Sequence, residues 1–114
     1  MTKKYDININ SSKKVIEMFV GGSFTPADAQ AFTNDYHKMV GSIDASVYTL
    51  EIDCTTMNVV TSQMIPELEG SYKLYKQSGF KKIIFKIKDS TILKMQLARL
   101  ARNTGLSQVE VVKI

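Results

Sequence analysis

The sequence predicts an α/β fold: a mixed sheet of about five strands with three main helices against it, in the order ββαβαβαβ. Two observations predict it. Short apolar segments alternate with longer segments of helical period, and Gly, Pro and capping residues separate them. The 114 residues fit one domain with its own core, so we treat residues 1–114 as a single domain.

A predicted hairpin opens the chain. Residues 4–10 alternate polar and apolar side chains as a half-buried strand does, and residues 14–20 form a second, more apolar strand. The turn between them is Asn10-Ser11-Ser12. We therefore expect the first two strands to be antiparallel neighbours.

The first two helices have recognisable starts. Thr25 is placed as an N-cap, with Pro26 in the first turn of the helix. The second helix is expected to begin near Met64 or Ile65, because Pro66 fits best in a first turn. Their apolar side chains follow helical spacing.

The rest of the chain repeats the strand–helix alternation. Residues 47–54 and 82–88 form the third and fourth strands, and a third helix runs from Ser90, a candidate N-cap, to Gly105. Residues 108–114 close the fold as the fifth strand. We expect the later strands to be parallel, neighbouring and joined by right-handed crossovers.

Burial follows from this arrangement. Because strands three to five are nearly continuous in apolar residues, we expect both of their faces to be covered, with Ile52, Ile84 and Val111 in the interior of the sheet. Lys86 and Lys88 should lie at or near its solvent edge. On the third helix, side chains at helical spacing should point inward: Leu93, Leu97, Leu100 and Thr104.

Charge is unevenly distributed along a chain of net charge +4. Residues 73–102 hold nine cations against one anion. One interpretation is a basic face over residues 81–102, including Lys94, Arg99 and Arg102, that binds an anionic lipid, a nucleotide or an acidic protein. The alternative is that these cations are ordinary solvent-exposed side chains on the outer faces of strands and helices, with no ligand. Phe80 and Phe85 lie among these cations but are assigned to the core, where they cannot act as stacking platforms, so we expect no nucleic-acid partner.

Composition argues against several function classes. No apolar stretch reaches the length of a membrane span, and the beginning of the sequence lacks the apolar core of a signal peptide, so we expect a cytoplasmic protein. The single cysteine, Cys54, and the single histidine, His37, cannot supply a zinc shell, and we do not expect them to form a nucleophilic pair. We therefore predict a protein without a metal, a cofactor or an enzymatic activity.

The order of elements and several segments resemble a STAS domain, the family of anti-sigma-factor antagonists. The resemblance covers nearly the whole chain and rests on three segments: Gly22-Ser23-Phe24 after the second strand, Tyr48–Asp53 leading into a polar loop, and the end of the third helix at Asn103-Thr104-Gly105-Leu106. In that family, a loop reading Asp-Ser-Ser/Thr-Gly follows the third strand. Its hydroxyl is phosphorylated by a partner kinase that doubles as the anti-sigma factor.

The matching positions here are Val60-Thr61-Ser62-Gln63, in which the aspartate and the glycine of the family are replaced. The resemblance implies that Ser62 or Thr61 is a phosphorylation site and that the protein is a signalling switch. It also implies a protein partner, either kinase-like or another signalling protein. The oligomeric state stays open, with a dimer as one option.

The preceding polar segment is the candidate partner-binding loop. Its residues are Asp53, Thr55, Thr56 and Asn58. The alternative for Ser62 and Thr61 is structural, because either hydroxyl could serve as an N-cap of the second helix.

Overall fold

The computed structural model describes residues 5–21, 25–57, 62–88 and 90–113. The strands are β1 (Tyr5–Asn10), β2 (Val15–Val20), β3 (Thr49–Asp53), β4 (Lys82–Ile87) and β5 (Val109–Lys113). The helices are α1 (Pro26–Val40), α2 (Ile65–Ser78) and α3 (Thr91–Thr104), and short 3-10 turns cover Ala45–Val47 and Ser62–Met64. The predicted order ββαβαβαβ is confirmed.

The five strands form one mixed sheet in the order β1-β2-β3-β4-β5. β1 and β2 are antiparallel, and all later neighbours are parallel. The predicted parallel pairing of the third and fourth strands is thus confirmed, with Ile52 opposite Phe85. Because each crossover moves one strand further in the same direction, right-handed crossovers place all three helices on one face.

The core therefore lies between the helices and a single face of the sheet. Along β4, Ile83, Phe85 and Ile87 are buried, whereas Lys82 is exposed and Ile84 and Lys86 are half-buried. The expectation that the later strands are covered on both faces is wrong, because in the described residues no helix lies against the second face, here called the open face. Strand side chains alternate between the two faces.

Three of the predicted positions differ from the structure. Ile52 is buried as predicted, but Ile84 is half-buried on the open face and not in the interior. Val111 is half-buried and packs against the core from the outermost parallel strand. Lys86 lies on an inner strand, in the middle of the open face, whereas Lys88 is exposed just beyond β4.

Aromatic contacts hold α2 against the sheet and against its neighbours. The Tyr72 ring stacks on Phe85 with centroids 5.3 Å apart, and the Tyr36 ring contacts Tyr75 at 5.6 Å. The buried Tyr72 hydroxyl donates a hydrogen bond of 3.1 Å to the Leu97 carbonyl of α3. These contacts fix the spacing between α2 and α3 from inside the core.

Candidate functional site

The carboxyl ends of the parallel strands meet at one edge of the sheet, where α/β proteins commonly bind ligands and partners. Asp53 ends β3 at this edge. Its Oδ1 accepts a 3.0 Å hydrogen bond from the Thr55 amide and a 2.6 Å bond from the Thr55 hydroxyl. The Thr55 hydroxyl, the Thr55 amide and the nearby Lys86 ammonium lower the pKa of Asp53. Asp53 therefore shapes the predicted partner-binding loop as an ionised turn residue.

Thr56 is exposed and lies against the end of β2. A Cβ added at Gly21 would overlap the Thr56 Oγ1 and would lie 2.7 Å from Cζ of Phe19. Only glycine allows the two strand exits to approach this closely. The loop after β3 is thus held against its neighbour, while Asn58 and Thr61 lie outside the described residues.

Cys54 is buried, with 2% of its surface exposed, between these polar residues. Burial, followed by the charge of Asp53, raises the pKa of its thiol to about 12, so the thiolate is scarce at neutral pH. His37 is exposed in the last turn of α1, at the opposite end of the strands. The two side chains do not form a nucleophilic pair.

Ser62 is exposed in the 3-10 turn that leads into α2. The N-cap of α2 is Met64, and no side chain caps this helix. Ser90 behaves differently, because its Oγ accepts a 3.2 Å hydrogen bond from the Leu93 amide at the start of α3. The predicted capping of α2 by Ser62 is therefore not present, because the N-cap position belongs to Met64.

An apolar groove lies between the start of α2 and the length of α3. The residues lining it are Ile65, Ile92, Met95, Gln96, Arg99, Leu100 and Asn103. Three of the large apolar side chains are strongly exposed: 38% for Ile65, 62% for Ile92 and 56% for Met95. Contiguous exposed aliphatic side chains of this kind mark interaction surfaces.

Sequence reasoning missed this groove, although a signal was available. Leu93, Leu97 and Leu100 account for the inward side of α3, and all three are buried as predicted. Ile92 and Met95 fall outside that stripe, so their apolar character has no explanation in the core. Two large apolar residues on a helix whose inward side is already accounted for indicate a second apolar surface, and this pattern would have revealed the groove.

The cations of residues 81–102 do not share one surface. Lys82 and Lys86 project from the open face and pair with Glu110 at 2.8 Å and with Glu51 at 2.7 Å. The three residues singled out for the basic face are exposed on α3, on the far side of the sheet: Lys94, Arg99 and Arg102. Of these, Arg99 lines the apolar groove.

The open face carries mainly acidic groups. Asp6, Glu17, Glu51 and Asp53 surround Lys86 in a shallow depression of the sheet. The hydrogen bond to Glu51 raises the pKa of Lys86, so its ammonium stays protonated among these carboxylates. Among the residues that the structure describes, no group of three His, Cys, Asp or Glu side chains is arranged to hold a metal ion.

Protein-family models give no match to this chain, and neither do curated proteins at a significant level. None of the helices in the described ranges combines the length and apolar character needed to cross a bilayer.

Proposed function

We propose that this protein is a non-catalytic protein-interaction module of the STAS type, and that its partner docks at the groove between α2 and α3. The observation that carries the proposal is the exposure of Ile65, Ile92 and Met95 in one groove. Burying such side chains against a partner would yield about 1.5–3 kcal/mol for each one fully covered.

The position of Ser62 supports a switch at the same surface. Ser62 is exposed and precedes Ile65 by three residues. At the rise per residue of a 3-10 turn, the two residues are about 6 Å apart along the helix axis. A phosphate there adds about −1.5 to −2 charges at the mouth of the groove. Because its hydroxyl does not cap α2, modification of Ser62 would change docking without unfolding the helix.

The test uses tagged protein and its native partner. Ser62→Asp should weaken capture of that partner and leave the melting temperature unchanged, whereas Ser62→Ala should preserve both. Equal capture by Ser62→Asp and the unmodified protein would reject the switch. The same comparison at Thr61 shows whether the neighbouring hydroxyl also responds.

A second candidate is an acidic ligand held by α3 without phosphorylation. The observation in its favour is that α3 carries Lys94, Arg99 and Arg102 and no acidic residue. Contacts between exposed charges weaken as salt increases. Retention on an anionic matrix that falls with salt, and disappears when all three cations are neutralised, would support this candidate.

A further inference from the structure

We infer that the occupant of the groove is an amphipathic helix of the partner with acidic residues along the edge that faces α3. This inference rests on the proposed function and specifies its partner. It follows from the shape of the groove, from the backbone of its walls and from the charge of α3.

The walls of the groove favour a helical occupant. Within their interiors, α2 and α3 satisfy their backbone hydrogen bonds internally, so the groove offers an extended peptide no strand edge with which to pair. A helix satisfies its own backbone groups and can bury apolar side chains at helical spacing. An extended segment would instead bury unpaired backbone groups, which is costly.

The dimensions agree with this occupant. The groove follows α3 from Ile92 to Asn103, a rise of about 16 Å, which is about three turns of a partner helix. Its volume of about 300 Å³ lies near the lower end of small-molecule pockets, which hold about 300–1,000 Å³. A row of side chains from one helix fits a long, exposed groove better than a compact ligand does.

Charge selects acidic residues on one edge of that helix. Arg99 is exposed in the groove wall, and Lys94 and Arg102 lie on the same helix, which carries no acidic side chain. The opposite wall is formed by Ile65, and Glu69, one helical turn further along α2, lies on the same side of that helix. An occupant should therefore place carboxylates toward α3 and avoid them toward α2.

The same asymmetry disfavours an anionic membrane as the occupant. An anionic bilayer presents negative charge over its whole surface, and Glu69, on the same side of α2 as Ile65, would meet it. Ile92 and Met95 line a concave groove, and α3 has no aromatic side chain to anchor at a membrane interface.

The experiment is a display selection with amphipathic peptides of about three turns. Leucines occupy one face at helical spacing, and both flanking edges vary among Glu, Gln and Lys. Bait proteins are the unmodified chain, Arg99→Glu and Met95→Asp. Val47→Asp and Lys38→Glu are matched controls, because Val47 is 47% exposed and Lys38 is exposed on α1, both away from the groove.

We expect the unmodified chain and both controls to enrich Glu over Lys by about tenfold on one edge only. Arg99→Glu should lose or reverse that preference, and Met95→Asp should enrich no peptide while retaining its melting temperature. Binding to phosphatidylserine vesicles that disappears in Met95→Asp would overturn the inference in favour of a membrane. Absence of enrichment, or an edge preference that Arg99→Glu leaves unchanged, would also overturn it.

The two proposals fail in different ways. If Met95→Asp abolishes capture of the native partner while the selection shows no acidic preference, docking at the groove stands and the acidic helix is wrong. If Met95→Asp leaves native capture intact, the proposed docking site is itself wrong.

Discussion

Ser62 and Ser90 each precede a helix, and their environments differ. Ser90 caps α3 through the Leu93 amide, whereas Ser62 lies in a 3-10 turn ahead of an α2 whose N-cap is Met64. Ser90→Ala should therefore lower the free energy of unfolding by about 0.5–2 kcal/mol. Ser62→Ala should leave it unchanged, and urea denaturation measures both. Equal losses would show that Ser62 stabilises the helix start.

The protonation state of Asp53 makes the stability of the fold depend on pH. The Thr55 hydroxyl is the main group that lowers the pKa of Asp53 in the folded protein. A carboxylate whose pKa is lower in the folded than in the unfolded state stabilises the fold at pH values above its unfolded pKa of about 3.9. That contribution disappears as the pH falls through the folded pKa. Asp53→Asn keeps an oxygen that can accept hydrogen bonds from Thr55 but has no titratable group. The free energy of unfolding of this variant should therefore fall less steeply than that of the unmodified protein below about pH 4. If the free energy of unfolding of Asp53→Asn and of the unmodified protein falls with pH at the same rate, this role of Asp53 is contradicted.

At the scale of elements, α3 has two surfaces with different roles. Leu97 is 1% exposed in the core, and Arg102 is exposed. Leu97→Ala should cost about 2–5 kcal/mol through the cavity it leaves, whereas Arg102→Ala should change the free energy of unfolding by less than about 0.5 kcal/mol. Chemical denaturation distinguishes them. A large loss in Arg102→Ala would mean that the helix is rotated.

The hydrogen bond from Tyr72 to Leu97 joins α2 and α3 inside the core. Tyr72→Phe keeps the ring on Phe85 and removes only this bond. We expect a loss of about 0.5–1.5 kcal/mol in urea denaturation. An unchanged stability would show that ring packing alone sets the spacing of the groove walls.

Local patterns predicted the elements well because each rests on neighbouring residues. Pro66 placed the start of α2, and the stripe of Leu93, Leu97 and Leu100 placed the inward side of α3, as the structure confirms. The burial of Ile84 was predicted wrongly, because covering of a sheet face depends on where the crossovers lie. The polar residue Glu51 within β3 was the local sign of an open face.

Local patterns give a sign of the α3 side of the groove but not of the groove as a whole. Ile92 and Met95 are close in sequence, but Ile65 belongs to another helix, and only the packing of α2 against α3 brings the three together. The proposed phosphorylation at Ser62 came from the family resemblance and stays a prediction. What the structure adds is its exposure beside the groove.

On the scale of the whole molecule, charge is divided by the sheet. On the open face, Asp6, Glu17, Glu51 and Asp53 surround Lys86, and on the other side of the sheet the only charged residues of α3 are cations. The basic segment predicted from the sequence is thus divided between two surfaces, because β4 and α3 lie in different layers. An acidic partner approaching the molecule is directed toward α3 and away from the open face.

The central claim is that a partner docks at the groove under the control of Ser62. Site-specific photo-crosslinking in the native cells tests it most directly, with the photoreactive residue at Met95 in the groove or at Val47 outside it. We predict a discrete cross-linked partner from position 95, none from position 47, and a strong reduction at position 95 in Ser62→Asp. Equal products from both positions, or a position 95 product that Ser62→Asp leaves unchanged, would contradict the account.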